Sequence, residues 1–174
     1  MADSIISPVT PDWQREHKSF FEWSPSKSLL ASIRRYQNAT RLIFPFSKFI
    51  QVVSVIQHRF WTVVTGTDIP INTKIDGGLL IPHPNGIVIH SSVTIGPNCL
   101  ILQQVTLGSN EIGDTPIIEG HVDIGAGAKL IGNIRVGKHA KIGANAVVLQ
   151  DVPAYATAVG IPARIILKKT FTSQ

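Results

Sequence analysis

The stretch IGAGAKLIGNIRVGKHAKIGANAVVLQDV, residues 124–152, decides the fold. Its large aliphatic residues recur at Ile124, Leu130, Val136, Ile142 and Val148, each six residues after the last. A second series of small or apolar residues runs four behind the first, at Ala128, Ile134, Ala140, Ala146 and Val152. Neither an amphipathic helix, with a period of 3.6, nor a half-buried strand, with a period of 2, sustains a period of six. Working outward toward the N-terminus, the same wall positions continue as Leu107, Ile101, Ile95, Ile89, then Ile81, Ile75 and Ile69. The accompanying series adds Thr73, Leu79, Val93, Cys99, Val105 and Val122. Two steps are irregular: Ile81 to Ile89 is eight residues and Leu107 to Ile118 is eleven, so two and five residues are inserted there.

A repeat of this length is the signature of hexapeptides wound into a parallel β-helix. Each hexapeptide supplies a short strand and a turn, and it buries its apolar face only against its neighbours. At three hexapeptides per coil, residues 69–152 should make roughly four coils. Glycine follows the wall residue at Gly96, Gly125, Gly137 and Gly143. The expected reason is the positive φ that tight corners need.

Residues 1–65 obey a different rule. They start polar with scattered aromatics (Trp13, Phe20, Phe21, Trp23), and the Ser24-Pro25 step is expected to break regular structure. Ser28 to Leu42 suits a short helix, and Phe46 to Val64, after Pro45 and before Gly66, suits a longer one. That second segment reads either as a packing helix or as one lying on a membrane surface. The division expected is a mainly helical segment over 1–65 and a β-helix domain with a tail over 66–174.

The chain's 174 residues, 44% hydrophobic and 16% charged, suit one compact domain with an appendage. A net charge of +5 fits an anionic membrane or a phosphorylated ligand. No dense Lys/Arg run with interleaved aromatics argues for nucleic acid. The single Cys99 excludes an intrachain disulfide and sits in the inward series, which suggests a packing role. The first ten residues do not read as a signal peptide, and Leu42–Ile56 is too interrupted to span a bilayer, so a cytoplasmic location is expected. His90, His121 and His139 fall at outward or turn positions, with no spacing typical of a metal site.

The segments GTDI (66–69), PHPNGIVI (82–89), ILQQVTLG (101–108), the run 124–153 and VGIPARII (159–166) resemble the catalytic half of serine O-acetyltransferase and its hexapeptide acyltransferase relatives. The resemblance covers about 100 residues, spacing included. It implies a left-handed β-helix, a homotrimer, and acetyl-CoA lying along the cleft between neighbouring coils, with no metal. It makes His83, in the disturbed PHPNG turn, the catalytic base, a task suited to imidazole near neutral pH. It makes Asp68, fifteen residues earlier, the partner that fixes the imidazole's tautomer. For the donor it points to Gly108, Ser109, Ala126, Lys141 and Ala144, and to Arg164, Lys168 and Lys169 as phosphate partners. The chain departs from the family pattern at Pro82, where an Asp is usual, and at Asp114-Thr115-Pro116, where the loop usually ends in Arg-His. That departure argues for a sugar hydroxyl, as in surface polysaccharide synthesis, as acceptor. Serine O-acetylation, with Asp114 holding the amino acid, is the second reading, and a non-catalytic β-helix scaffold is the third.

Overall fold

A computed structural model describes residues 6–19, 21–40 and 45–167. Phe20, Leu42, Lys168 and Lys169 lie outside the described residues. Two helices, α1 (Pro25–Ala39) and α2 (Phe46–Thr65), precede a stack of short strands. Ser24-Pro25 starts α1 rather than interrupting it, because proline in the first turn forfeits no intrahelical hydrogen bond. Helix α2 stops at Gly66, whose φ of 64° is the left-handed cap that glycine adopts without strain.

The strands form three parallel faces. One carries Val88–Ile89, Thr106–Gly108, Lys129–Ile131 and Val147–Val148, with Asp68 bridged to Val88 at its lower end. The second carries Lys74–Ile75, Thr94–Ile95, Ile117–Ile118 and Arg135–Val136, and the third carries Leu100–Ile101, Asp123–Ile124, Lys141–Ile142 and Thr157–Val159. Partners within a face are eighteen residues apart where the regular count is unbroken between them, as in Lys129↔Val147 and Asp123↔Lys141, so one coil is three hexapeptides. The inserted residues sit wholly in corners. Ile75 therefore still pairs with Ile95 across the first insertion, and Ile95 with Ile118 across the second.

All thirteen wall residues are at most 5% exposed, and the companion series is equally buried. Ile87, two residues before Ile89, completes that companion series at the irregular corner. Val152 belongs to the walls instead, since it bridges Val136 and closes the second face. A fifth coil therefore follows the four expected. It ends in an antiparallel hairpin, Thr157–Val159 against Arg164–Ile166, which covers the last rung of the third face.

The corner glycines work differently from expectation. Positive φ falls three residues after the wall position, at Asn98, Gln104, His121, Gly127, His139 and Asn145. Gly125 and Gly137 are needed for close approach. A Cβ on either would lie 2.6 Å from the Ala144 nitrogen or 2.5 Å from the Ala154 nitrogen, on the coil above.

The N-terminal residues are latched onto this stack. Arg34 of α1 pairs with Glu16 at 2.8 Å and donates to the Ile75 and Asp76 carbonyls, while the Leu79 amide donates to Glu16. Trp13 lies against Gly77, and Arg34 sits 5.3 Å from its ring centroid. Buried Asn98 accepts from the Asp12 amide and donates to the Ser7 and Thr10 carbonyls. From α2, His58 Nε2 donates to the Ile69 carbonyl at 2.9 Å.

Candidate active site

The irregular corner between the third and first faces holds His83. Two extra residues push the chain outward there, so Pro82 and His83 are exposed while Ile81 and Ile87 on either side are buried. His83 lines a groove of about 500 Å³ with Pro82, Asn85, Trp23, Ser26 and Thr65, so α1's entry and α2's exit form its far wall.

Directly above, each later coil stacks on the same corner. The Gln104 amide donates to the Asn85 carbonyl at 3.0 Å, the Gly127 amide to Gln103 at 2.9 Å, and the Asn145 amide to Ala126 at 2.8 Å. This ladder aligns His83, Ala126 and Ala144 along one edge of the β-helix. The edge has no bulky side chain at either alanine, so a narrow chain can lie against its backbone. At its top, Val159 packs over Gly143 and is in register with exposed Arg164.

Asp68, Gly108 and Ser109 share a different cavity of about 350 Å³ on the first face, together with Val88, Thr106 and His90. Among the described residues no hydrogen bond joins Asp68 to His83. The histidine in Asp68's cavity is His90, whose Nδ1 accepts from the Ser92 amide at 3.2 Å. The sequence placed His90 only at an outward turn. Its place in the cavity with Asp68 depends on the two-residue insertion, which a strict six-residue count obscures.

Lys141 is not on the alanine edge. It projects from the middle of the third face, 4.0 Å from Asp123, into a groove of about 570 Å³ with His121, His139, Tyr155 and Ile166. His121 and His139 are eighteen residues apart, one coil, and their Nδ1 atoms meet at 2.8 Å. Tyr155 continues the column, its ring 4.7 Å from that of His139. Desolvation holds the His121 pKa below its ordinary value, with Asp123 opposing and His139 assisting. No group of three or more potential metal ligands occurs among the described residues.

Asp114 closes the five-residue insertion. Its amide donates to Asn110 Oδ1 at 2.9 Å and its carbonyl accepts from the Asn110 amide at 3.1 Å, while its carboxylate faces Asn110 Nδ2 at 3.4 Å. Cys99 is fully buried with its thiol pushed up to about 11 by desolvation, so it packs and is not a nucleophile.

No family model matches the chain. It is 43% identical over 136 residues to a serine acetyltransferase of Staphylococcus epidermidis, across 76% of this chain and 57% of that protein. It is 49% identical over 123 residues to a serine acetyltransferase of Staphylococcus aureus, across 68% and 56%. Among solved structures, a serine acetyltransferase in complex with CoA superposes with a TM-score of 0.69 at 38% identity, over 83% of this chain and 58% of that one. Soybean serine acetyltransferase does so with a TM-score of 0.62 at 34% identity, over 80% and 69%. The chain spans little more than half the length of the curated relatives it matches.

The three stacked faces and the six-residue walls define a left-handed parallel β-helix of hexapeptide repeats. The chain belongs to the serine acetyltransferase-like hexapeptide-repeat acyltransferases.

Proposed function

We propose that the chain transfers an acetyl group from acetyl-CoA to the hydroxyl of a small acceptor, serine, with His83 as general base. The observation that carries the reading is the ladder placing His83 at the foot of an edge that is bare at Ala126 and Ala144 and reaches Arg164. A pantetheine arm fits such an edge, because alanine lets the backbone amides approach it. Arg164 would meet a phosphate at the far end. Gly108 and Ser109 would face the arm from the neighbouring subunit of a homotrimer, since they lie on another corner of their own subunit. Lys141 contributes at most through the third-face groove. A CoA complex and a serine complex are both known among the similar structures, which supports the donor and the acceptor.

In the proposed step, neutral His83 takes the proton of the acceptor hydroxyl as its oxygen attacks the thioester carbonyl. The tetrahedral intermediate collapses by breaking the carbon–sulfur bond, and the imidazolium returns the proton to the leaving thiolate. Asp68 is the proposed orienting carboxylate, approaching the imidazole once substrates close the site, since such bonds often tighten only in the complex. A sugar hydroxyl is the second acceptor reading. It is favoured by Pro82 and by Asp114-Thr115-Pro116, which supply no cation for an amino acid's carboxylate.

Thiol release from acetyl-CoA, followed with serine and with a panel of sugars, tests both readings. His83→Ala should lower turnover about 10²–10⁴-fold while CoA still binds. His90→Ala should stay within about threefold, well short of the loss of a general base. Full activity in His83→Ala, or a loss confined to His90→Ala, would move the base to the other cavity. Acetylation of a sugar without serine would change the acceptor. Light scattering should give three times the 18.9 kDa chain mass, and a monomer with full activity would remove the shared site.

A further inference from the structure

Helix α2 is turned inside out. Its buried residues are Ser54, His58 and Thr65, all polar. Each is satisfied: Ser54 Oγ donates to the Ile50 carbonyl at 2.8 Å, Thr65 Oγ1 to Trp61 at 2.6 Å, and His58 to Ile69 of the first coil. The opposite face carries Phe46, Phe49, Val52, Ile56, Phe60 and Val63, every one more than half exposed. Their spacing of three, three, four, four and three residues is that of one continuous helix stripe, roughly 26 Å long at 1.5 Å per residue. A contiguous apolar stripe of this length marks an interaction surface.

The charges beside the stripe select its partner. The twenty residues of α2 include no Asp or Glu. Exposed Lys48 and Arg59 border the stripe on one flank, and neither makes an ion pair among the described residues. On the other flank Arg35 of α1 donates to Gln57. Aromatic and aliphatic side chains bordered by cations are the chemistry of a helix lying in the headgroup region of an anionic bilayer. A second copy of the same face would bring like cations together and supply no carboxylate to meet them. No helix among the described residues is long and apolar enough to cross a membrane, so contact would be peripheral.

We propose that the outward face of α2 docks the protein onto anionic lipid, with Phe49, Ile56 and Phe60 entering the interface and Lys48 and Arg59 meeting headgroup phosphates. Vesicle binding is read without acetyl transfer, so it stands or falls apart from the proposed reaction.

The intact chain would be sedimented with phosphatidylcholine vesicles and with vesicles containing phosphatidylglycerol. Binding should be at least about tenfold tighter to the anionic vesicles, since each cation near the surface contributes roughly fivefold. The Phe49→Ser, Ile56→Ser, Phe60→Ser triple variant should lose binding with unchanged circular dichroism. The Lys48→Glu, Arg59→Glu double variant should lose the preference for anionic lipid, and this holds as a test even where the triple variant misfolds. Folded wild-type protein that ignores both vesicle types would overturn the proposal. So would a triple variant that binds undiminished. A triple variant of smaller mass by light scattering, with no vesicle binding by the wild type, would assign the face to a second copy instead.

Discussion

The β-helix and helix α2 are built on opposite rules within one chain. In the β-helix, apolar residues at fixed spacing are sealed inside. In α2, the bond from His58 to Ile69 ties a face of polar buried residues to the first coil, and the apolar stripe is left outside. Burial of the first kind provides stability in proportion to the area removed from water. The second kind provides attachment and leaves that area for something else to cover. Hydrophobicity alone therefore does not say which residues stabilise a segment. The partner of each face decides it.

The contrast can be broken most directly by paired truncations. Ile101→Ala, in a fully buried wall, should cost about 2–5 kcal/mol in denaturant unfolding. Phe49→Ala, a larger truncation on the exposed stripe, should stay within about 0.5 kcal/mol. Equal costs would mean that α2's stripe is covered within the folded protein. A smaller effect tests the coil spacing: Gly125→Ala should cost about 1–3 kcal/mol, because the new Cβ must push the Ala144 backbone away. A neutral result would show that the coils part freely at corners.

The mildest test concerns the seam between the two regions. Desolvation, opposed by the bond to Ile69, holds the His58 pKa below its ordinary value, so the folded state keeps the ring neutral. As pH falls below about 6.5 the unfolded chain takes up a proton that the folded chain resists. Stability from this group is thus full above that pH and is lost toward the folded value. The melting temperature of the wild type should fall between pH 7.5 and 5.5, and less steeply in His58→Asn. Parallel slopes in the two would remove His58 from the seam.

The sequence displayed the β-helix because walls repeat: thirteen positions obey one count, and all are buried. It displayed His83 as the odd residue in the first irregular corner. It hid whatever depends on stacking rather than spacing. His121 below His139, or Ala126 below Ala144, become neighbours only once eighteen residues are known to make a coil. The resemblance points to Lys141 and Ala144 together for the donor, yet on a three-sided helix residues three apart look out over different grooves. Helix α2 was legible as a helix, but nothing in its own spacing tells which face meets the coil. The contact that ties its inward face to the coil is the bond from His58 to Ile69, while Ser54 and Thr65 are satisfied within the helix itself.

The two insertions preserve the strand pairings across them, because both extra lengths are absorbed at corners. A face tolerates no change in residue number without unpairing all the coils above it. A corner can lengthen while its neighbours remain in register. Substrate range in such a scaffold can therefore drift by lengthening and shortening corners alone. In this chain the corners holding His83 and Asp114 are the two places where a new acceptor could have been accommodated without refolding the rest.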